Sequence, residues 1–474
     1  MALVIAMSLG EIAEAVKGRL VGDADAASRM IDGLSYTDSR EVEPGGIFFA
    51  KPGEFTDGHL FAPQAVERGA ELVIVDHELG LAVPQIVVAD VVEALGDLAR
   101  TVIHRVRAAG VLRIVGITGS NGKTTTKNLL GEILRRVGET VAPRASFNNE
   151  VGAPLTMLEV GDDTRFLVAE MGASREGDIA RLIRMAKPDV GVVLKVGLAH
   201  AGEFGGIEHT QRAKSEMVTD LDAGDTAVLN ADDPRVATMA QLTKAGVLWF
   251  GIDGEAGPDR VRATDVRSSR AGTSFTLHLP DGTSRPIVFR VLGEHHVANA
   301  LAAASAAHAL GVSIDDIADG LQAVTRAERW RMEVMGGANG VTVINDAYNA
   351  SPDSMAAALK TLVQLREPGG RAIAVLGEMS ELGDAAGDEH DRIGLLAVRL
   401  GVDQVVVVGP GARRMHISTI NEGSWDGESV FVETQDEALA LLQDLLHEGD
   451  TVLVKSSNAA GLRHLGDRLG EMFS

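Results

Sequence analysis

The sequence predicts an α/β protein of three domains. We expect a smaller N-terminal α/β domain, a central doubly wound and mainly parallel sheet with a phosphate loop, and a C-terminal nucleotide-fold-like α/β domain. Two observations support this fold class. Short β-branched segments alternate with helical patterns along most of the 474 residues, which is typical of parallel sheets covered by helices. Single cores seldom grow beyond about 250 residues, so this length indicates roughly three domains.

The first domain is predicted over residues 1–109. Its strands lie in "GGIFFAKPG" and "AELVIVDHE", and its last helix is "VVEALGDLARTVIHRVRAAG". The chain begins "MALVIAMSLGEIAEAVKG", where no basic residue precedes the apolar start and an amphipathic helix follows, so the pattern does not favour a signal peptide. No stretch approaches about 18 uninterrupted apolar residues, and we therefore expect no membrane span.

The central domain, predicted over residues 110–327, begins with the phosphate loop. The loop lies between a buried parallel strand, "VLRIVGI", and a helix, "TTTKNLLGEILRRVG". Its glycines, Gly116, Gly119 and Gly122, miss the common G-x-x-x-x-G-K-[ST] spacing by one residue. Main-chain N–H groups of such a loop can close around phosphate oxygens, Lys123 can reach the terminal phosphates, and the Thr124 hydroxyl can ligate Mg2+. The alternative is a glycine-rich turn that binds nothing.

The remaining elements continue the same rhythm. In the central domain the strands "RFLVAEMG", "VGVVLKVGLAH" and "DTAVLNADD" alternate with helices, and a hairpin with Asp281 and Gly282 at its turn leads to the Ala-rich helix "HHVANALAAASAAHALG". The third domain is predicted over residues 328–474. Its strands "VTVINDAY", "RAIAVLGEM", "DQVVVVGPG" and "DTVLVKSS" again alternate with helices.

Three further side chains are candidate metal ligands. Glu170 ends the strand "RFLVAEMG", where a typical phosphate-loop hydrolase has Asp, although a strand-end carboxylate can also simply face solvent. His200 follows the next strand in "GLAHAGEFGG" and should reach the same carboxyl edge of the sheet, where ligands of open α/β folds collect. A lone histidine is more often structural than functional. By spacing alone Lys214, in "HTQRAKSEMVTDL", is an ordinary surface lysine on a helix.

Composition limits the classes of partner. The net charge is −23, from 44 basic and 67 acidic residues, and there is no run of Lys or Arg, which argues against a nucleic-acid partner and favours small-molecule substrates. The chain has no cysteine, which excludes disulfides and thiolate chemistry and suits the cytosol.

Motifs along almost the whole chain resemble those of the ATP-dependent Mur ligases of peptidoglycan synthesis. In chain order they are "TGSNGKTTT", "AEMGA", "AHAGEFGG" followed by "AKSEM", "GEHHVANALAA", "RWRMEV" and "INDAYNASPDSM". The segments "DSREVEPGGIFFAKPGEFTDGH" and "FNNEVGAPLT" are similar to motifs of the family branch that adds a dipeptide. The Ser-Ser-His and Asp-Asn-Pro signatures of the branch that adds the third residue do not occur.

This resemblance implies an activity. A Mur ligase of the dipeptide-adding branch uses ATP and Mg2+ to join D-alanyl-D-alanine to UDP-N-acetylmuramoyl-tripeptide through an acyl phosphate. Cytoplasmic location follows from that activity, and we expect a monomer. The N-terminal domain would bind the UDP-sugar, the central domain ATP, and the C-terminal domain both ATP and the dipeptide.

The resemblance also implies roles for individual residues. Thr124, Glu170, His200 and Lys214 would hold metal, Lys214 as a carbamate, and Lys123 would act in catalysis together with the last three. Ser39 and Arg40 lie in the segment that binds the UDP-sugar. The residues expected to bind ATP are Gly119, Ser120, Asn121, Gly122, Lys123, Thr124, Thr125, His295 and Asn299 at adenine, and Arg331 and Asp346 at phosphate and ribose.

Two other classes of protein remain as alternatives. A glutamate-adding enzyme such as a folate polyglutamate synthetase would share the phosphate loop and the last two domains, but would lack the N-terminal "TDSREVEPGGIFFA". A nucleotide switch or binding module would bind ATP without consuming it. The joint presence of Glu170, His200 and Lys214 disfavours the second alternative.

Overall fold

The structure is a computed structural model that describes residues 5–53, 56–143, 146–197, 206–252, 257–269, 272–324, 329–337, 340–423 and 428–474. Three main sheets follow one another along the chain, of five, nine and six strands, and a two-stranded pair lies near the N-terminus. The predicted α/β class with three domains is confirmed. The exact boundaries at residues 109 and 327 stay predictions.

The N-terminal sheet has the strand order β2-β7-β6-β5-β4, in which only the β2–β7 pair is antiparallel. Its middle strands are buried on both faces, with Phe49 and Ile74 on one face and Phe48 and Val73 on the other. The strands of this region are β1 (Met7–Ser8), β2 (Arg19–Val21), β3 (Met30–Ile31), β4 (Ser35–Tyr36), β5 (Ile47–Phe49), β6 (Leu72–Val75) and β7 (Gln85–Val87). Its helices are Leu9–Ala15, Ala62–Glu67 and Val91–Ala108.

The central sheet has the order β16-β15-β14-β13-β12-β11-β8-β10-β9. It is parallel from β9 to β14 and ends in two antiparallel pairs, so the predicted hairpin is confirmed as β15–β16. Its strands are β8 (Arg113–Thr118), β9 (Thr140–Val141), β10 (Phe166–Glu170), β11 (Val190–Val193), β12 (Thr226–Asn230), β13 (Gly246–Gly251), β14 (Arg260–Ser269), β15 (Gly272–His278) and β16 (Ser284–Phe289). The described helices are Lys123–Arg135, Gly152–Met157, Asp178–Ala186, Ile207–Thr219, Pro234–Thr238, Glu294–Ala309 and Ile314–Ala323.

The C-terminal sheet has the order β17-β18-β22-β19-β20-β21 and is parallel except for the β17–β18 pair. Its strands are β17 (Glu333–Gly336), β18 (Thr342–Asn345), β19 (Ala372–Leu376), β20 (Gln404–Val408), β21 (Ser429–Val432) and β22 (Thr451–Lys455). The described helices are Pro352–Gln364, Ala386–Arg399, Arg413–Glu422, Gln435–Leu445 and Arg463–Met472.

The helix Val91–Ala108 joins the first two sheets into one core. Asp90 caps its N-terminus by accepting hydrogen bonds from the N–H groups of Val92 and Glu93. Its apolar face packs on helices Gly152–Met157 and Asp178–Ala186 of the central domain, and a single cluster of buried apolar side chains extends from the N-terminal sheet to the central sheet. Among the described residues, no helix is both long enough and apolar enough to cross a bilayer.

Candidate active site

The phosphate loop follows β8 and opens the helix Lys123–Arg135, as predicted. Gly119 and Gly122 have φ values of 153° and 86°, which side-chain-bearing residues rarely adopt. A Cβ on Gly122 would lie 2.3 Å from Oδ1 of Asn299, so only glycine lets Asn299 approach the loop this closely. The Lys123 ammonium donates to the Gly119 carbonyl at 2.8 Å, which folds the lysine over its own loop.

Glu170 lies at the end of β10, directly beside the strand that leads into the loop. Its side chain is 1% exposed, which contradicts the alternative of a carboxylate in solvent. Oε1 accepts a hydrogen bond from Nδ2 of Asn148 at 2.9 Å, whereas the buried Oε2 has no hydrogen-bond partner among the described residues. Burial of a carboxylate oxygen costs free energy unless a cation or a hydrogen-bond donor interacts with it.

Lys214 is the residue for which spacing alone was most misleading. The surface interpretation is wrong, because the side chain is only 3% exposed. Burial, and then the positive charge of Lys123, lower the pKa of Lys214 to about 7, while Glu216 acts in the opposite direction. The amine is therefore largely neutral at slightly alkaline pH, which an exposed lysine is not.

Two adjoining cavities bring the predicted residues together. One, of about 310 Å3, is lined by the loop residues Ser120 to Thr125 and by Glu170, His295, Asn299, Arg331 and Asp346. The other, of about 140 Å3, is lined by Lys123, Lys214 and Arg181 among others. Lys123 and Asn148 line both, so they separate the space at the phosphate loop from the space beside Lys214.

A third cavity, of about 750 Å3, continues from Gly122, His295 and Asn299 between the central and C-terminal domains to Phe250 and Arg392. The pKa of His295 is lowered to about 4, mainly by burial; the charge of Asp346 acts to raise it, and the charges of Lys455 and Lys195 act to lower it. His295 is therefore a neutral imidazole at physiological pH. A neutral ring with one donor and one acceptor nitrogen suits hydrogen bonding to an uncharged base.

The C-terminal domain contributes charged groups to the loop. Nη2 of Arg331 lies 3.4 Å from Oγ1 of Thr124, and the same Oγ1 hydrogen-bonds to Oγ of Ser146 at 3.0 Å. Asp346 accepts from the Met332 N–H at 3.0 Å and from the buried Lys455 ammonium at 2.6 Å. These contacts fix Arg331 and Asp346 at the edge of the loop.

Two more contacts join the domains beside the loop. The Ser351 hydroxyl donates to Oδ1 of Asn121 at 3.1 Å, and the Lys195 ammonium lies 3.6 Å from a carboxylate oxygen of Asp353. The structure thus has the C-terminal domain in direct contact with the nucleotide loop.

Some predicted residues lie elsewhere or are not described. Ser39 is buried and donates to Oε1 of Gln64 at 2.7 Å, and Arg40 is exposed beside Asp38 at 2.6 Å. Neither lines the three cavities. His200 lies outside the described residues, so its predicted metal role stays a prediction.

Sequence reasoning missed several residues of the site. Asn148 lies in "FNNEVG", Ser146 precedes it, and Tyr348 and Ser351 follow β18 in "DAYNASPDSM". Position after a strand end was a usable signal for Tyr348, since the carboxyl edge of a parallel sheet collects ligands. Asn148 lies in the family segment "FNNEVGAPLT", but no local pattern indicates its contact with Glu170, which is 22 positions away at the end of β10.

Chemically, the site combines a loop of N–H donors, two cationic side chains and an incompletely satisfied carboxylate. Such a set can hold a polyphosphate together with a divalent cation and can stabilise charge on a transferring phosphoryl group. The adjoining space beside Lys214 and Arg181 can hold a second, acidic reactant next to that group.

Three stretches of the chain match families of known proteins. Residues 34–103 match "Mur ligase family, catalytic domain", residues 117–307 match "Mur ligase middle domain", and residues 330–458 match "Mur ligase, glutamate ligase domain". The order of the three matches is the order of the three sheets.

Individual relatives agree. The UDP-N-acetylmuramoyl-tripeptide--D-alanyl-D-alanine ligase of Mycobacterium bovis is 43% identical over 506 residues, which cover 98% of each chain. The structure of MurF from Acinetobacter baumannii superposes with a TM-score of 0.88 at 32% identity and covers 99% of both chains. MurF ligase from Thermotoga maritima, solved in complex with ADP, has a TM-score of 0.77 at 28% identity and covers 93% of this chain and 97% of that one. The chain therefore belongs to the Mur ligase family.

Proposed function

We propose that this protein is an ATP-dependent ligase that joins D-alanyl-D-alanine to UDP-N-acetylmuramoyl-tripeptide, forming UDP-N-acetylmuramoyl-pentapeptide, ADP and phosphate for peptidoglycan synthesis. One observation carries the proposal: the phosphate loop shares a wall, formed by Lys123 and Asn148, with a second cavity that contains Lys214. ATP and an acidic substrate can therefore meet across Lys123.

The reaction needs activation because an amine does not displace oxide from a carboxylate at a useful rate. In the first step the carboxylate of the tripeptide attacks the γ-phosphorus of ATP in line, which gives an acyl phosphate and ADP. Lys123 and the loop N–H groups stabilise the charge on the transferring oxygens, and the bound geometry supplies much of the remaining rate. Arg331 adds a second cation from the C-terminal domain, next to Thr124.

In the second step the amine of D-alanyl-D-alanine attacks the acyl carbon. A tetrahedral intermediate forms and then expels phosphate as the peptide bond is completed. Because the acyl phosphate is easily hydrolysed, water must be kept out during this step. The contacts of the C-terminal domain with the central domain, from Ser351 to Asn121 of the loop and from Asp353 to Lys195, support such exclusion.

The residues present fit a Mg2+ site. Among the residues that the structure describes, Oε2 of Glu170 is buried without a hydrogen-bond partner, and Thr124 offers a hydroxyl oxygen, so the donors are the hard oxygen ligands that Mg2+ prefers. We expect Thr124 and Glu170 to hold one ion, and His200 and Lys214 to complete a second site. Bound Mg2+ would neutralise charge on the phosphate oxygens and let two anionic reactants approach.

Lys214 is proposed to act as a carbamate. A protonated amine would repel Mg2+, whereas the neutral amine reacts with CO2 to form an N–C bond and releases one proton, which leaves an anion with two oxygen donors. Burial and the lowered pKa of Lys214 favour the reactive neutral form.

The proposed division of labour follows the three domains. Residues 1–109 would bind the UDP-sugar with Ser39 and Arg40, residues 110–327 would bind ATP, and residues 328–474 would contact ATP and the dipeptide. His295 and Asn299 would contact adenine, while Arg331 and Asp346 would contact phosphate and ribose. We propose a cytoplasmic location, because its nucleotide-linked substrate and ATP are cytoplasmic molecules, and a monomer stays the expected oligomeric state.

A coupled assay tests the function. Purified protein with ATP, Mg2+ and UDP-N-acetylmuramoyl-tripeptide should release ADP and phosphate in stoichiometric amounts only when D-alanyl-D-alanine is present, and mass spectrometry should detect the pentapeptide. Glutamate in place of the dipeptide is the matched control, since a glutamate-adding enzyme would use it. ATP binding without product formation would show a nucleotide-binding module and refute the proposal.

A further inference from the structure

We infer that Tyr348 is a positioning residue for Arg331: the face of its ring holds the guanidinium at the phosphate loop. The inference rests on the proposed function, because it assigns the Arg331 guanidinium to the phosphates of ATP. Tyr348 belongs to the C-terminal domain, and the resemblance to the Mur ligases implied no role for it.

The first support is the distance between the two side chains. Cζ of Arg331 lies 4.3 Å from the centre of the Tyr348 ring, within the range of a cation–π contact. Nη2 of the same guanidinium lies 3.4 Å from Oγ1 of Thr124, and Tyr348, Arg331 and Thr124 all line the 310 Å3 cavity. The ring therefore supports the guanidinium where it faces the loop.

The second support is the backbone on either side of Arg331. Trp330 and Met332 have φ values of 62° and 53°, in the left-handed region that bulky residues rarely occupy. The Tyr348 N–H donates to the Trp330 carbonyl at 3.1 Å, and Asp346 accepts from the Met332 N–H at 3.0 Å. Residues after β18 thus hold the strained segment from both sides, and strain of this kind persists where the surroundings enforce it.

Trp330 extends the same stack. Its ring lies 6.4 Å from the Tyr348 ring with an angle of 15° between the planes, and its Nε1 donates to Asp467 at 2.9 Å. Tyr348 therefore has the Trp330 ring as a neighbour, and Asp467 holds that ring in place. A fixed ring limits the positions that the long, flexible Arg331 side chain can occupy, and this lowers the entropy lost when the guanidinium engages phosphate.

The inference predicts a specific pattern for substitutions of Tyr348. Tyr348→Phe retains the ring face and should leave ATP affinity and kcat within about threefold of the unmodified protein. Tyr348→Leu removes the ring and should weaken ATP affinity or lower kcat by up to about 30-fold, the effect of losing a desolvated cation–π contact. ATP affinity is measured by calorimetry with Mg2+, which does not require ligation, and kcat and KM by ADP release.

A double-mutant cycle with Arg331→Ala separates positioning from a general structural role. If Tyr348 acts through Arg331, Tyr348→Leu should cause little further loss in the Arg331→Ala background. The matched control is Phe431→Leu, which removes another ring under an arginine, Arg413 at 5.3 Å, in the same domain but away from the site. That variant should leave ATP affinity, kcat and KM unchanged, and thermal unfolding is followed for every variant.

The outcomes are distinguishable. Additive losses in the cycle, equal losses for Phe and Leu at position 348, or full ATP affinity and kcat in Tyr348→Leu would each overturn the positioning inference while leaving the ligase function intact. If the unmodified protein formed no pentapeptide, the proposed function would fail, and the calorimetric cycle would still decide whether Tyr348 positions Arg331 for ATP.

Discussion

Replacing Lys214 is the most informative single change to this protein. Lys214→Ala removes the amine, and Lys214→Arg keeps a cation that cannot be carbamylated. Both variants should lose most ligase activity, by about 100-fold or more, because neither can form the anionic carbamate that is proposed to hold the second Mg2+ beside the transferring phosphoryl group. An acetate ion added at high concentration should partly rescue the alanine variant, which leaves space for it, and should not rescue the arginine variant.

The environment of Lys214 favours the form of the amine that can be carbamylated. At pH 8 an amine with a pKa of about 7 is about 90% neutral, whereas a lysine at the ordinary value of 10.5 is about 0.3% neutral. The site thus presents about 300-fold more of the form that reacts with CO2. A guanidinium at this position would keep its charge in a side-chain environment only 3% exposed and close to Lys123, so Lys214→Arg should also lower the melting temperature.

Two measurements are needed together. ADP release with all substrates gives the activity, and mass spectrometry under conditions that preserve carbamates gives the modification. Removal of CO2 and bicarbonate should lower the activity of the wild-type protein, and their return should restore it. Lys360→Ala is the matched control, because Lys360 is an exposed lysine on the helix Pro352–Gln364. An unmodified Lys214 in fully active protein, or an active Lys214→Arg variant, would refute the reasoning.

Three further predictions follow from the same site. Lys123→Ala should fold normally but lose about 3 kcal/mol or more of transition-state stabilisation, seen as a fall in kcat, and near-normal turnover would contradict its role. Because the C-terminal domain already contacts the loop at Asn121, hinge motion should appear as a more open arrangement in solution without ligands and a shift to this closed one when ATP and the UDP-tripeptide bind. Since the chain has no cysteine, Lys244→Cys and Lys360→Cys provide two unique label sites, and the same distance distribution with and without ligands would exclude closure. His295, with a pKa of about 4 against an ordinary 6.5, should stay neutral from pH 8 down to about 5. Because its pKa is lowered in the folded state, this group costs the protein stability only as the pH falls below about 6.5, where the unfolded state gains a proton that the folded state does not. The histidine NMR resonance that is lost in His295→Gln should therefore not titrate near pH 6.5, and one that did would contradict the prediction.

Local sequence patterns predicted the framework of the site. Gly-Lys-Thr between a buried strand and a helix was enough to place Lys123 and Thr124, and a strand that ends in Glu170 was enough to place the carboxylate at the same edge. The positions of these three residues depend on neighbours along the chain and on the rule that parallel strands end at one edge of a sheet.

Burial and long-range contacts were harder to predict. Lys214 lies on the apolar side of its helix, four residues after Thr210 and three before Met217, both buried, and that spacing was a usable signal that the residue type obscured. The contact between Arg331 and Thr124 joins residues 207 positions apart. It depends on left-handed conformations at Trp330 and Met332 that local propensity argues against, so no local pattern predicts it.

The core shared by the first two sheets has a consequence for synthesis of the chain. Val102, Ile103 and Val106 of the helix Val91–Ala108 are completely or almost completely buried, and the partners on its central-domain side lie in residues 152–186. The ribosome must therefore translate about 80 more residues, and release them from its exit tunnel, before the apolar face of this helix can be covered. Until then the nascent chain exposes an aggregation-prone apolar surface of the kind that chaperones protect. A fragment truncated near residue 109 should accordingly be insoluble, whereas one that continues past residue 186 can complete this part of the core.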